Sequence, residues 1–145
     1  MDSEITKLPY DGVRMTPQGR IEMACAWIAD DYPHKWLRLV NLCERAMRDG
    51  WPRIRRGDLY VLACQQGMSI SVAEEYRMDN NLWSVLSRYL IMFRPELSRV
   101  IFPKEADIDR CGVALDDAWH EMVAANTWFP VIHWQNAPAI YGGAA

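Results

Sequence analysis

The sequence predicts an all-α protein, a compact single-domain bundle of about six to seven helices. Three observations carry that expectation. Apolar residues recur at spacings of three and four through most of the chain, the period that puts them on one helical face. Prolines, glycines and capping residues punctuate these stripes at helix-length intervals. No stretch alternates apolar and polar residues as a half-buried strand would, and neither an internal repeat nor a low-complexity run is present. A chain of 145 residues is a common size for one domain with one hydrophobic core, so residues 1–145 are taken as a single unit.

The elements follow in order. Residues 1–15 show no sustained period and are expected to form an extended arm. Thr16-Pro17 marks a helix start, with the hydroxyl as cap and proline at the first helical position. Ile21, Cys25, Ile28 and Tyr32 then form one stripe, which Pro33 ends. A second helix spans about 34–49, with Trp36, Val40, Cys43 and Met47 facing inward, widened by Leu37 and Leu39. Gly50 is suited to the left-handed terminating position, and Trp51-Pro52 confirms the break. After the basic stretch Arg53, Ile54, Arg55, Arg56, Asp58 is the expected cap of a helix reaching about Gln66, stopped by Gly67. Ser71-Val72-Ala73-Glu74 has capping-box spacing and opens a short helix to about Met78. Asp79 or Asn80 caps the next one, whose wide apolar band is Leu82, Val85, Leu86, Tyr89, Leu90 and Phe93. Pro95 interrupts it, and a short helix with Leu97, Val100 and Ile101 runs to Pro103. Residues 105–112 read as an acidic loop. A last helix over about 114–127 carries Leu115, Ala118, Trp119, Met122 and Val123, with Asp116 and Asp117 in its first turn. The tail over 130–145 is uncharged and aromatic, and Trp134, Ile140 and Tyr141 are expected to pack part of it on the body.

Composition narrows the function classes. Half the residues are apolar and a quarter charged, ordinary for a globular protein. No segment has the apolar length of a membrane span. Residues 1–15 carry Asp2, Glu4 and Asp11 without the apolar core of a signal peptide, so the cytoplasm is the expected location. Cys25, Cys43, Cys64 and Cys111 form no C-x-x-C pair, and three fall on apolar stripes, which suits small hydrophobes rather than a disulfide scaffold or zinc site. Net charge is −3, but residues 45–104 hold ten basic against six acidic residues, a net of +4 within an acidic protein. Such asymmetry can build a positive face.

Residues 58–93 read as helix, glycine turn, short helix, polar turn and longer helix. The run VAEEYRMDNNLWSVLSRYL, residues 72–90, resembles the helix-turn-helix DNA-binding regulators in general rather than one family among them. Ala73 matches the small residue of the first helix, Tyr76 and Met78 its apolar positions, and Asp79 to Asn81 the turn. The resemblance implies a recognition helix near 80–93 that presents polar groups to the major groove. Asn80, Asn81, Ser84, Ser87 and Arg88 would then face base edges, whose donors and acceptors amide and guanidinium groups can match. Arg77, Arg53, Arg55 and Arg56 would neutralise phosphates. Glu74, Glu75 and Trp83 depart from the family pattern. A second register, 59–78, places Ala63, Gly67, Met68 and Ser69 on the turn instead, but its following helix is acidic.

The expectation is a small nucleic-acid-binding regulatory protein acting on DNA, as a homodimer, of the kind that phages and mobile elements encode. The alternative is a helical protein-interaction module, with no nucleic-acid contact, that inhibits or recruits a larger host complex through Trp51, Trp128 and Trp134. No enzyme, cofactor or metal is expected. His120-Glu121 lacks a second histidine because residue 124 is Ala, His34 and His133 have no partner at ligand spacing, and no glycine-rich phosphate loop occurs. Asp30-Asp31 and Asp116-Asp117 are read as helix-end acids, and no Ser-His-Asp set stands out.

Overall fold

The computed structural model describes residues 15–126 and Ile132. Most of the arm over 1–15, most of the tail over 130–145, Trp128 and Trp134 lie outside the described residues. The described chain is all-α, with six α-helices and four short 3-10 segments and no strand among them. The helices are α1 (Pro17–Ala29), α2 (His34–Arg48), α3 (Leu59–Gln65), α4 (Ile70–Ala73), α5 (Asn80–Phe93) and α6 (Gly112–Asn126). None is long and apolar enough to cross a membrane.

The helix starts show how closely local chemistry sets the boundaries. The Thr16 hydroxyl accepts the Gly19 N–H at 3.1 Å, with Pro17 at the first position. Asp79 caps α5 by accepting the Leu82 N–H at 2.9 Å. Gly50 and Gly67 both take φ +92°, the left-handed region that terminates α2 and α3. Three expectations are corrected. The cap of α4 is Ser69, whose Oγ accepts from Val72, two residues before the expected box. Asp58 does not cap α3. A 3-10 turn (Arg56–Asp58) precedes that helix, and the carboxylate reaches back to the Arg55 N–H at 2.8 Å. Finally, α6 starts at Gly112, so Asp116 and Asp117 fall beyond its first turn. The short elements also differ in kind: residues 74–76, 95–99 and 107–110 are 3-10 turns.

The core sits where α1 crosses α5 and α6. Ile21, Ala24 and Ile28 of α1 are fully buried. Against them lies an aromatic group drawn from three helices. The Trp36 ring of α2 meets Phe93 of α5 and Trp119 of α6 edge-on, with centroids 5.6 and 5.7 Å apart. Tyr89 lies 5.2 Å from Trp119, and its hydroxyl donates to the Leu115 carbonyl at 2.7 Å. Such edge and tilted geometries match the ring quadrupoles and add to the burial energy. Tyr76 fastens the short elements to α2. Its hydroxyl donates to the Lys35 carbonyl at 3.1 Å and accepts from Arg38 Nε at 3.0 Å. Ile132, the one tail residue described, is buried in the same core.

Burial also governs the thiols. Desolvation lifts Cys43 to about 12 and Cys25 to about 11, the latter despite a contact with the Tyr89 hydroxyl. In the unfolded chain both would ionise near 9. Between pH 9 and 11 the unfolded state therefore sheds protons that the folded state keeps, and stability falls as pH rises. Urea titrations at pH 8 and pH 10 are expected to show a loss of roughly 1 kcal/mol per buried thiol at the higher pH.

Candidate nucleic-acid interface

Three pieces of chain meet beside α5. The basic stretch 53–58 runs along one side, and residues 101–106 run along the other. The Ile54 N–H donates to the Val100 carbonyl at 2.7 Å, tying these two walls together. The opening turns of α5 form the third wall, and Arg20 of α1 reaches in from behind. Together they enclose an open groove of about 1060 Å³.

The groove brings together eight of the nine residues expected to touch nucleic acid: Arg53, Arg55, Arg56, Asn80, Asn81, Ser84, Ser87 and Arg88. Arg77 is the exception. It pairs with Glu74 at 3.0 Å and stacks on Tyr60 at 3.7 Å, away from the groove.

Gathering these residues does not give them the expected orientation. A recognition helix would project Arg88 into solvent, yet that residue is 2 % exposed. Its guanidinium grips both carboxylate oxygens of Asp109, through Nε at 2.7 Å and Nη2 at 2.9 Å. It also donates to the carbonyls of Ser84 at 2.6 Å and Lys104 at 2.8 Å. Arg88 is thus a staple between α5 and the segment 104–109. Asn81 and Ser87 are also buried rather than exposed. The Asn81 Oδ1 accepts the Met15 N–H at 3.2 Å. The hydroxyls of Ser84 and Ser87 donate back to carbonyls of their own helix, so neither has its proton free for a phosphate oxygen. The helix is buried on this side because residues 104–109 lie over it.

Arg20 repeats the Arg88 pattern. It is 3 % exposed, and its Nη2 meets Asp107 Oδ1 at 2.6 Å. Asp107 and Asp109 belong to one 3-10 turn (Asp107–Arg110), so a single turn neutralises both buried guanidinium groups.

Arg53, Arg55, Arg56 and Lys104 are exposed, and no ion pair engages them among the described residues. Arg56 donates to Asn80 Oδ1 and to the Met78 carbonyl, both at 2.9 Å. That contact commits the amide oxygen of Asn80, which is itself an exposed residue. Two carboxylates, Asp58 and Asp79, also line the groove. Both already accept backbone N–H groups. Four exposed cations stand against these two half-buried carboxylates, so the balance of the groove surface is positive.

Sequence reasoning had no ground for selecting Lys104, Phe102 or Arg20. Lys104 counted toward the positive middle of the chain, and Pro103 beside it marked a break, but that they line one groove with Arg53 is a tertiary fact. Phe102 stays 43 % exposed, with the Arg53 guanidinium 5.7 Å from its ring centre. Trp51, expected on a partner surface, is half-buried and packs against the core.

No protein-family model matches the chain, and no curated protein and no solved structure matches it.

Proposed function

We propose that the protein is a small nucleic-acid-binding regulator that takes the phosphodiester backbone into this groove. One observation carries the reading. Four exposed cations, Arg53, Arg55, Arg56 and Lys104, converge on a single concave surface without carboxylate partners among the described residues. Isolated surface arginines would scatter, whereas a backbone-binding surface needs them aligned on one path. Asn80 adds a neutral donor at the rim. The buried Arg20 and Arg88 shape the floor and hold the walls in place. The cytoplasm suits four cysteines that form no disulfide among the described residues.

The proposal departs from the helix-turn-helix expectation in its mode of contact. A recognition helix must protrude, but the first turns of α5 form the wall of a concavity. Affinity then comes chiefly from phosphate contacts, and sequence preference is modest.

The test is fluorescence anisotropy with labelled oligonucleotides across a salt series. Binding is expected to weaken steeply with salt. Changing Arg53 and Arg55 to alanine should flatten the log–log slope by about 0.7–0.9 for each phosphate that is no longer neutralised. Both side chains are exposed, so the far-UV circular dichroism should not change. Binding that ignores salt, or a double variant with an unaltered slope, would overturn the proposal.

A further inference from the structure

We infer that the strand held in the groove is unpaired, with bases stacked on Phe102 and Trp83. The inference rests on the groove reading above and adds the kind of nucleic acid it takes.

The shape of the surface argues against a duplex. Reading a duplex requires a convex element that enters the major groove, typically a helix with a polar exposed face. Here the corresponding face is folded in. Arg88 and Ser87 are buried, and the hydroxyl protons of Ser84 and Ser87 are committed to helix carbonyls. A concave surface accepts something thin and flexible instead.

The lining argues for a single strand. Phe102 keeps 43 % of its surface exposed at the mouth of the groove, just before Pro103. Arg53 sits over its ring, a pairing that presents a cationic and a π surface together. Across the groove, Trp83 is half-buried on α5 and lines the same space. Cations following a backbone, interleaved with aromatic faces, are what an unpaired strand recognises, because every base has a π face to stack. In a duplex those faces are occupied by neighbouring base pairs. The cationic and aromatic lining acts on phosphates and base faces, which both sugars share, so the shared chemistry is an unpaired polynucleotide of either sugar.

The experiment compares labelled oligo-dT, oligo-rU and a mixed-sequence duplex of equal length, at one salt concentration and then across a series. Both single strands are expected to bind at least tenfold tighter than the duplex. Binding should quench tryptophan emission, and Trp83→Phe should remove most of that quench, because the indole beside the stacked base is gone. Phe102→Ala is expected to weaken single-strand binding about tenfold without changing the salt slope, and Phe102→Tyr should restore it. A duplex bound as tightly as the single strands, with a steep salt slope, would overturn the unpaired-strand inference and leave the phosphate groove intact. No salt-sensitive binding of any oligonucleotide would overturn both. Tight binding of only one of the two single strands would overturn the claim that the sugar is not read.

Discussion

Replacing Arg88 with methionine is expected to destabilise the protein by about 3–5 kcal/mol, measured by guanidinium denaturation. The cost arises on the partner left behind. Asp109 has a side chain only 8 % exposed and would keep a charge without its guanidinium. The Ser84 and Lys104 carbonyls would lose their donors as well, and buried acceptors without donors are costly. Asp109→Asn is expected to cost a similar amount from the other side, and it also weakens the acceptor for the Ala106 N–H. The double variant, Arg88→Met with Asp109→Asn, should lose less than the sum of the two single changes, because no lone buried charge remains. If the single changes add without coupling, the pair does not act as a staple. The effect on binding follows from the same geometry. Loss of nucleic-acid binding in an Arg88 variant would report a broken floor, so Arg53 and Arg55 are the informative positions.

Trp36→Ala is expected to cost roughly 3–5 kcal/mol and to collapse the near-UV circular dichroism of the aromatic group. Trp36 is fully buried between Phe93 and Trp119, and alanine would leave a large void among rings from three helices. Trp36→Phe should be far milder. The Trp36 Nε1 hydrogen has no acceptor among the described residues, and phenylalanine removes that desolvated donor while keeping most of the ring packing. Equal losses for the two variants would mean that the junction requires the indole itself rather than an aromatic ring.

The helices were legible in the sequence because their signals are local. Ile21 and Ile28, Trp36 and Val40, or Leu82 through Phe93 repeat at the helical period, and each stripe proved buried. Thr16 with Pro17, Asp79 and Gly50 act within three residues of the boundary they set. Ser71 and Asp58 misled because a carboxylate or hydroxyl near a helix start has several N–H groups within reach, and spacing alone does not choose among them. The membership of the groove was largely legible too, since the positive middle of the chain and the polar turn before α5 both belong to it. The orientation of its residues was not. Asp109 meets Arg88 across 21 positions, and Asp107 meets Arg20 across 87. Nor did the helix itself give a sign: at 3.6 residues per turn its six apolar positions cover less than half of the circumference and leave Ser87 and Arg88 outside that arc.

The turn that carries Asp107 and Asp109 has a consequence for how the molecule comes into being at the ribosome. Two guanidinium groups made early, at positions 20 and 88, find their counter-charges only when this late turn emerges. Until then the nascent chain has α1 and α5 but lacks the carboxylates that hold them in register, and no truncation ending before residue 107 can supply them. The floor and walls of the groove therefore lock together only once this turn has been made.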